Sequence, residues 1–407
     1  MTILVFVPYY LPGYRSGGPA RSIANLVAHL GTELRFVIVT ADRDSGDAAP
    51  YPGVAAGERH RVGNADVIYL GAGQTRPDRV AALVNAIQPE VLYLNTFFSR
   101  AFSTNIVLLR RLGRIPRLPI VLAPRGEFSP GALRIKPRRK RAWLTASRAL
   151  GIHRDVVWQA SSPLEAADIR RCMRPVERDG RSPIVVAPII ACAERQPAPA
   201  RRRDACSKPA DRLRVAFLSR LSPKKNLLGA LRILGDVRGD LDFNIFGPIE
   251  DERYWHACRA AIEALPSNVR AAYRGAVPPD RVADVLAQHD LFFFPTLGEN
   301  YGHVIREALA AGTPVLVSDQ TPWRDLAAAG VGWDLPLDRP DAFRDVLETC
   351  SAMPSGELAG WSERAAHYAW RHAADDSVIE ASRRLFRTAA RHAGALPVGD
   401  TGTINVC

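Results

Sequence analysis

The chain alternates short apolar runs with stretches of helical periodicity, and this alternation constrains the fold more than any other feature of the sequence. Apolar runs suited to buried strands occur in the first half at 3–7, 34–40, 67–70, 91–95 and 120–123, and a helical pattern occupies 20–30. Strands that alternate with helices form parallel sheets, because a parallel connection has to cross back over the sheet. The first half is therefore predicted to be an α/β domain.

The alternation stops near residue 190 and then starts again. Residues 194–211 read ERQPAPARRRDACSKPAD, which is rich in Pro and Arg and has no apolar periodicity. New apolar runs follow at 213–218, 243–246, 271–273, 291–295 and 314–317. A chain of 407 residues is also too long for one compact core. We predict a Rossmann-like domain at 1–190, a linker at 191–212, a second Rossmann-like domain at 213–372, and a cleft between the two domains.

Composition narrows the class of protein. Hydrophobic residues make up 47% of the chain and charged residues 24%, which is typical of folded globular proteins and not of disordered or fibrous ones. The net charge of +12 favours anionic partners, such as phosphates, acidic lipid or nucleic acid, without choosing among them. The six cysteines lack the short spacings of zinc or redox motifs, so we expect reduced thiols in a cytoplasmic protein. Pro8 and Pro12 interrupt the first apolar run, which is expected to be a strand and not a leader or a membrane span.

The most informative segment is 291–326, LFFFPTLGENYGHVIREALAAGTPVLVSDQTPWRDL. It reads as strand, loop, helix, tight turn and strand. The helix is predicted to begin near Gly302, so that its unpaired N–H groups face the preceding loop and offer a site for a phosphate. Glu299 lies in that loop, while His303 and Glu307 lie one turn apart on the helix flank and border the same site. The buried face of the helix is expected to consist of Val304, Ile305, Ala308 and Leu309.

A basic stretch follows the first strand of the second domain. Residues 217–226 read FLSRLSPKKN and place Arg220 and Lys225 at the ligand-binding end of that strand. Positive charge at this position offsets the negative charge that develops on a departing diphosphate. A basic surface turn is the alternative interpretation. The sequence FGP at 246–248 ends a later strand, and Gly247 allows the backbone to approach a ligand closely.

The segment from Glu299 to Glu307, ENYGHVIRE, followed by ALAAGTP, resembles the E-x7-E signature of glycosyltransferase family 4. The resemblance implies the GT-B fold, in which two Rossmann-like domains with parallel sheets face a central cleft. It also implies transfer of a sugar with retention of anomeric configuration, with Glu299 at the transferred sugar and Glu307 at the nucleotide ribose. The donor-binding residues are then Glu307, Asn300, Tyr301, Gly302 and His303.

Three further features are similar to motifs of the same family. Arg220 and Lys225 match its Arg and Lys pair, and Gly247 matches its glycine turn at the nucleotide. The SGGP sequence between the first strand and the first helix is similar to its N-terminal Gly-Gly loop. Gly17 and Gly18 there admit a phosphate or an acceptor without a Cβ clash. An ordinary turn between strand and helix is the alternative.

Arg125 departs from the family pattern. Residues 124–130 read PRGEFSP and follow the strand at 120–123, where many relatives carry a His-Gly pair that faces the donor sugar. The role of that histidine does not transfer to an arginine. We expect Arg125 instead to meet the diphosphate or an anionic sugar or acceptor, because a guanidinium group suits oxyanions.

Residues 134–143, RIKPRRKRAW, form another basic feature, with six basic residues in the first eight positions. Apolar Ile135 and Trp143 are interleaved with them. Each basic residue near an acidic membrane contributes about 1 kcal/mol to binding. This stretch is therefore predicted to dock the chain peripherally on an anionic membrane that carries a lipid-linked acceptor. A solvated basic helix face is the alternative.

Asp42 and Asp44 spell the DxD pattern by which metal-dependent GT-A transferases bridge Mg²⁺ or Mn²⁺ to a diphosphate. The pattern is short, and it occurs again at 240–242. Arg220 and Lys225, together with a helix N-terminus, already supply the charge that neutralises a diphosphate. We therefore assign Asp42 and Asp44 to a surface loop and predict no metal and no cofactor.

These features together predict a hexosyltransferase that moves a hexose from a nucleotide diphosphate sugar to a glycan or lipid-linked acceptor. Its expected setting is surface polysaccharide biosynthesis, in the cytoplasm or peripherally at the inner face of the cell membrane. The N-terminal domain is expected to bind the acceptor and the C-terminal domain the nucleotide sugar. By the family resemblance, 373–407 is a helix that crosses back to the N-terminal domain, followed by a tail. The catalytic residues are assigned as Glu299, Arg220, Lys225 and Arg125.

Three alternative functions remain open from the sequence. The first is a GT-B nucleotide-sugar epimerase, which shares the donor pocket and needs no acceptor. The second is a catalytically inactive binding subunit, and the third is a basic nucleic-acid-binding protein prompted by the net charge and by Arg201 to Arg203. The Arg-rich linker lacks interleaved aromatic residues, and the sequence contains no zinc or helix-turn-helix pattern. No nucleic-acid partner is therefore expected.

Overall fold

The structure is a computed structural model, and it describes residues 1–15, 17–71, 73–173, 182–191, 212–373 and 375–392. The chain divides into two compact units. Unit 1 comprises Met1–Phe128, Lys136–Ile190 and Asp376–Cys407, and unit 2 comprises Ser129–Ile135 and Ala191–Asp375. Most of the linker predicted at 191–212, and the tail beyond residue 392, lie outside the described residues.

Unit 1 is built on an eight-stranded sheet. Its strands in chain order are β1 (Thr2–Phe6), β2 (Arg35–Ala41), β3 (Arg59–Val62), β4 (Ala65–Leu70), β5 (Val91–Leu94), β6 (Ile120–Leu122), β7 (Val156–Ala160) and β8 (Ile184–Val186). Their order across the sheet is β3-β4-β2-β1-β5-β6-β7-β8, and the pairing of β3 with β4 is antiparallel while the others are parallel. The chain builds outward from β1 on one side and then adds β5 on the other, so the topological switch point lies between β1 and β5.

Unit 2 is built on a six-stranded parallel sheet. Its strands are β9 (Leu213–Leu218), β10 (Leu241–Phe246), β11 (Val269–Tyr273), β12 (Leu291–Phe294), β13 (Val315–Ser318) and β14 (Gly332–Leu335). Their order across the sheet is β11-β10-β9-β12-β13-β14. The switch point of this sheet therefore lies between β9 and β12, by the same criterion.

Helices connect the strands of both sheets. They are α1 (Gly18–Leu30), α2 (Pro77–Ile87), α3 (Asn105–Arg111), α4 (Pro130–Leu133), α5 (Pro137–Ala149), α6 (Pro163–Cys172), α7 (Leu227–Gly235), α8 (Glu252–Glu263), α9 (Val282–Ala287), α10 (His303–Ala310), α11 (Pro340–Ala352), α12 (Ser355–Ala373) and α13 (Asp376–His392). Single wider or tighter helical turns occupy Arg100–Thr104, Pro223–Lys225 and Pro279–Arg281. Among these helices, none has the length and apolar character needed to cross a bilayer.

Local sequence explains the elements that carry the fold. Helix α1 has Pro in its first turn, where the missing N–H costs nothing, and it buries residues at helical spacing. These buried residues are Ile23, Leu26, Val27 and Leu30. Strand β12, LFFF, is buried along its whole length, as expected for a central parallel strand covered on both faces.

The last helix, α13, packs onto the sheet of unit 1. Its Phe386 ring lies 5.3 Å from the ring of Tyr93 in β5 and 6.2 Å from that of Phe36 in β2, both in edge-to-face geometry. Leu385 is buried beside it in the same core. The amphipathic spacing of this helix is therefore satisfied by burial in unit 1.

The predicted α/β class with two parallel-sheet domains is confirmed. Four strands were not predicted: β3, β7, β8 and β14. Strand β3 reads RHRV and lies at a sheet edge, and its single apolar residue leaves no apolar run to detect. In the described part of the chain the cysteines Cys172, Cys258 and Cys350 are free and buried.

Candidate active site

Apart from Gly247, which follows β10, the site residues predicted in unit 2 follow the two strands that flank its switch point. Lys225 lies in the loop after β9, and Glu299 lies in the loop after β12. Because β9 and β12 are neighbouring parallel strands, their carboxyl ends open onto the same edge of the sheet. Open α/β sheets bind ligands at this edge, beside the switch point.

The structure brings Lys225 and Glu299 into direct contact. Lys225 Nζ donates to Glu299 Oε1 at 2.5 Å, and the hydroxyl of Thr296 donates to the same oxygen at 3.2 Å. The side chains of the pair are only 14% and 13% exposed. Lys225 Nζ also lies 5.5 Å above the centre of the Phe294 ring, which adds a cation–π contact. The ion pair is therefore held at the edge of the sheet by contacts with neighbouring protein groups.

The charge state of Glu299 follows from these neighbours. Burial on its own raises the pKa of this carboxyl group. The ammonium charges of Lys225 and Lys224, with the hydrogen bonds from Lys225 and Thr296, outweigh burial and leave the pKa below its ordinary value. Glu299 is therefore an ionised acceptor of hydrogen bonds, as binding a sugar hydroxyl requires.

Backbone and side-chain hydrogen bonds fasten the two loops to each other. The amide of Leu297 donates to the carbonyl of Lys224 at 2.9 Å. The side-chain amide of Asn226 donates to the carbonyl of Pro295 at 2.8 Å, and Ser318 donates to the carbonyl of Thr296 at 2.5 Å. The relative position of Lys225 and Glu299 is thus determined by the loop framework and not by the ion pair alone.

Helix α10 begins beside Glu299, as predicted. Gly302 precedes it with φ of 79°, in the left-handed region, and a Cβ there would lie 2.8 Å from Ile305 Cδ1. His303 and Glu307 lie four residues apart on the helix, and both are partly exposed. The prediction of the buried face is right for Ile305, Ala308 and Leu309, whereas Val304 is only partly buried. Arg306 is 4% exposed and was not predicted to be buried.

The loop that contains Asn300 and Tyr301 is held by a residue that was not predicted. Trp323 Nε1 donates to the carbonyl of Tyr301 at 2.6 Å, and the two rings lie 5.7 Å apart. The ring of His303, the first residue of α10, lies 4.8 Å from that of Tyr301. Trp323 is buried, so its indole N–H requires such a partner. The available sequence signal was a Trp that follows shortly after the apolar run at 314–317.

Arg220 is not joined to the Lys225–Glu299 pair by a hydrogen bond or a salt bridge. It forms a salt bridge with Glu250, with Nη1 to Oε1 at 2.7 Å, and the side chains are 36% and 45% exposed. The loops after β9 and β10 run side by side, because the amide of Leu221 donates to the carbonyl of Pro248 at 2.8 Å. The prediction that Arg220 binds a diphosphate stays a prediction, and Glu250 is the partner that a diphosphate would replace.

Gly247 lies where these two loops come closest. Its φ is 131°, and a Cβ on this residue would be 1.8 Å from the carbonyl oxygen of Ser219. No side chain fits at that distance, so only glycine is compatible with this backbone path. Gly247 therefore permits the close approach of loops that positions Arg220.

In unit 1, the predicted glycines lie at the start of α1. Gly17 has φ of 81° and ψ of −138°, a conformation restricted to glycine, and it precedes the first helical residue, Gly18. The amides of Tyr14 and Arg15 donate to one carboxylate oxygen of Asp44, at 2.8 and 2.9 Å. This carboxylate fixes the loop that leads to the helix. The Ser16 of the predicted SGGP loop lies outside the described residues.

The assignment of Asp42 and Asp44 to a surface loop is wrong. Both residues are only 5% exposed. Asp44 accepts hydrogen bonds from backbone amides, and Asp42 accepts one from Arg43 Nε at 2.8 Å. Burial of these carboxylates is compensated by the hydrogen bonds that they accept from loop amides and from an arginine. Within the described residues, no three side chains of the metal-binding types come together at a possible metal site.

Arg125 lies in unit 1, three residues beyond the end of the buried strand β6. Its guanidinium group donates from Nε and Nη2 to Asn95 Oδ1, at 3.0 and 2.6 Å, and from Nη2 to the hydroxyl of Tyr93 at 2.6 Å. The side chain is half-buried. The groups that accept hydrogen bonds from Arg125 were not predicted, because Tyr93 and Asn95 are thirty or more residues away in the sequence.

Solved structures share the fold of this chain. Anabaena HepE, in a complex with UDP and glucose, matches with a TM-score of 0.66 and 15% sequence identity, over 96% of this chain and 100% of HepE. At this identity the likeness concerns the fold alone. The two parallel-sheet units therefore define a protein of the GT-B fold class.

A family match is found in the sequence of unit 2. Residues 201–366, which include Lys225 and Glu299, match the model of the family Glycosyl transferases group 1. The resemblance to glycosyltransferase family 4 is thereby confirmed.

Curated relatives agree with this family. A D-inositol 3-phosphate glycosyltransferase of Rhodococcus erythropolis is 33% identical over 110 residues, which are 26% of this chain and 25% of the relative. A phosphatidyl-myo-inositol mannosyltransferase of Mycolicibacterium smegmatis is 32% identical over 166 residues, 38% of this chain and 41% of the relative. The matches thus span a quarter and two fifths of the lengths of these relatives.

Proposed function

We propose that the protein transfers a hexose from a nucleotide diphosphate sugar to a glycan or lipid-linked acceptor, with retention of anomeric configuration and without a metal ion. The observation that carries this proposal is the contact of Lys225 with Glu299 at the switch point of unit 2. This contact supports the proposal, because it joins a cation suited to a diphosphate with an ionised acceptor suited to sugar hydroxyls, in the loop that leads to the N-terminus of α10.

In this proposal each residue has a defined role in binding and transfer. Lys225 and Arg220 neutralise the diphosphate, and amides at the start of α10 donate to its oxygens. Glu299 orients the hexose by accepting hydrogen bonds from its hydroxyls, and Glu307 binds the ribose. The acceptor oxygen bonds to the anomeric carbon while the bond from that carbon to the phosphate oxygen breaks. The leaving phosphate takes the proton of the acceptor hydroxyl, on the same face of the sugar.

Metal independence follows from the same charges. A diphosphate leaving group needs positive charge in the transition state, and two basic side chains with a helix N-terminus provide it. Asp42 and Asp44, the carboxylates considered for a metal, are engaged with loop amides and Arg43. We therefore expect full activity in the presence of EDTA.

The setting we propose is surface polysaccharide biosynthesis at the inner face of a membrane. Support comes from α5, on which Arg138, Arg139 and Arg141 are exposed. Lys140 is an exception, because it is partly buried with its ammonium group 5.1 Å above the ring of Phe98. Peripheral docking is tested by flotation with liposomes of anionic or zwitterionic lipid. Equal flotation with both would exclude charge-dependent docking.

The test of the transfer reaction uses UDP-, GDP- and ADP-hexoses with a panel of alkyl glycosides as acceptors, in EDTA. We expect release of nucleoside diphosphate that depends on one acceptor, and a product whose anomeric proton shows the configuration of the donor. An altered hexose still attached to nucleotide, formed without acceptor, would indicate an epimerase instead. Inversion, or a requirement for added Mg²⁺, would contradict the proposed mechanism.

A further inference from the structure

Unit 1 has a positively charged group at its own switch point, independent of the donor residues in unit 2. Asn95 directly follows β5, and Arg125 follows β6. Strand β5 pairs with β1 on one side and with β6 on the other. Both residues therefore lie at the carboxyl edge of the sheet, beside the point where open α/β sheets bind ligands.

The guanidinium group of Arg125 is held in one orientation by neutral acceptors. Asn95 and Tyr93 take three of its five N–H donors. The Tyr93 hydroxyl in turn donates to Gln159 Oε1 at 2.5 Å, and Gln159 Nε2 donates to the carbonyl of Ala187 at 3.0 Å. All acceptors in this series of hydrogen bonds are neutral groups, so the network orients Arg125 without cancelling its charge.

Two N–H donors of Arg125 remain available. Nη1 forms no hydrogen bond to any residue in the described ranges, and no described carboxylate forms a salt bridge with Arg125. Two glutamates adjoin its turn, but their oxygens serve backbone amides. Glu165 accepts from the amide of Gly126 at 2.7 Å, and Glu127 accepts from the amides of Phe97 and Phe98 at 2.5 and 3.1 Å.

The backbone at Arg125 is held in a conformation that a side chain rarely adopts. Its φ is 55°, in the left-handed region, and Gly126 follows with φ of 74°. Such a conformation is strained and persists only where the surrounding structure holds it in place. Here the hydrogen bonds of Glu165 and Glu127 supply that restraint. A strained arginine aimed by a neutral network is typical of a ligand site.

We propose that Arg125, oriented by Tyr93 and Asn95, binds an anionic group of the acceptor, such as a phosphate or a carboxylate. This inference rests on the proposed transferase function and assigns a substrate class to it. The donor diphosphate has its own cations, Lys225 and Arg220, in unit 2. The two N–H groups on Nη1 of Arg125 suit an oxyanion, which accepts charge-assisted hydrogen bonds from the guanidinium group.

The test replaces Asn95 with Asp in a protein whose donor site is disabled by Lys225→Ala and Arg220→Ala. The new carboxylate has the shape of the amide and neutralises Arg125 without removing it. Inorganic phosphate is titrated at constant ionic strength and followed by ³¹P NMR. We expect Asn95→Asp to weaken phosphate binding at least tenfold. Asn85→Asp, the same charge change on an exposed face of α2, should change it less than twofold.

The two sources of the anion are distinguished in the wild-type background with UDP, GDP and ADP. If Arg125 binds the acceptor, Lys225→Ala lowers the affinity for the nucleotide and Asn95→Asp leaves that affinity unchanged. Equal weakening by both variants would assign Arg125 to the donor diphosphate and overturn the proposal. The proposal would also be overturned if Asn95→Asp and Asn85→Asp changed the affinity for phosphate equally. Because the phosphate titration needs no turnover, an absence of transfer activity leaves its result valid.

A second substitution tests the proposal independently, in case the Asn95→Asp protein does not fold. Tyr93→Phe keeps the ring that packs on Phe386 and removes only the hydroxyl that accepts a hydrogen bond from Arg125. It is expected to weaken phosphate binding severalfold through loss of orientation. Unchanged affinity in a folded Tyr93→Phe protein would mean that the network does not position the guanidinium group.

Discussion

Lys225 Nζ and Glu299 Oε1 lie 2.5 Å apart, although 74 residues separate them in the sequence. The contact exists because their loops leave neighbouring strands and are fastened by hydrogen bonds of Leu297 and Asn226. Both charges of this pair are largely buried, and removing one leaves the other without compensation. The pair is thus held in place by the protein's own hydrogen bonds, and such fixed charges are what electrostatic catalysis requires.

Substitution of either member of the pair should reduce transfer strongly. Glu299→Gln and Lys225→Met are each expected to lower kcat/KM by about 10²- to 10³-fold, because each removes charge stabilisation at the reacting sugar or diphosphate. The double variant should lose less than the sum of the two losses, since the residues act as a unit. Steady-state kinetics of the three proteins measure this coupling. Strict additivity would show that the two side chains act separately.

Gly247→Ala should impair both stability and donor binding. The new Cβ would be 1.8 Å from the carbonyl oxygen of Ser219, so the loops that carry Arg220 and Glu250 must move apart. We expect a loss of about 1–3 kcal/mol of stability, which is the usual effect of overpacking and backbone strain. Thermal melting and the KM for the donor measure the two effects. Gly235→Ala is the matched control, because its Cβ would meet nothing within 4 Å. Equal melting temperatures for the two variants would contradict the close approach.

Trp323→Phe tests the support of the donor loop. The substitution keeps a ring beside Tyr301 and removes the indole N–H that donates to its carbonyl at 2.6 Å. A loop that only positions the donor should give a several-fold higher donor KM with a smaller change in kcat. Trp361→Phe alters a stacked Trp pair with Trp333 and serves as the control. The same kinetic change in both variants would indicate a general structural effect and not a specific one.

The pH dependence of stability should contain a contribution from His153. Its ring lies 4.7 Å from that of Phe97, and burial lowers its pKa to about 3, with smaller contributions from Arg110 and Arg111. In the unfolded chain the pKa is about 6.5. Between these values the unfolded state binds the extra proton, so stability falls as the pH falls from 6.5 towards 3, by up to about 1.4 kcal/mol per pH unit.

Replacing His153 should remove this contribution. Denaturation by urea between pH 4 and 8 is expected to give a smaller loss in acid for His153→Phe than for the wild type. His256→Asn, at an exposed position on α8, should behave like the wild type. An acid loss of the same size in His153→Phe would show that other groups cause it.

Local sequence patterns were sufficient for the parts of the molecule in which one segment determines the outcome. The strands β9 and β12 are apolar runs, and Glu299 and Gly302 follow from the loop and helix start that come after β12. Lys225 was identified in the same way, by its place after a strand. The contact between Glu299 and Lys225 itself depends on strand order, which a linear pattern does not contain.

What was missed depends on partners that are distant in the sequence. The burial of Asp44 follows from the amides of Tyr14 and Arg15, about thirty residues earlier. The salt bridge of Arg220 with Glu250 arises because the loops after β9 and β10 run together. Neither relation has a local sequence signal, since a DxD or a basic turn reads the same whether buried or solvated.

The central claim is tested most directly by isothermal titration of UDP-, GDP- and ADP-hexoses into the wild type and into Lys225→Met, both in EDTA. The claim predicts that at least one nucleotide sugar binds the wild type, and that Lys225→Met weakens it tenfold or more, which is about 1.4 kcal/mol. Equal affinity in the two proteins, or no binding of any nucleotide sugar to the wild type, would contradict it.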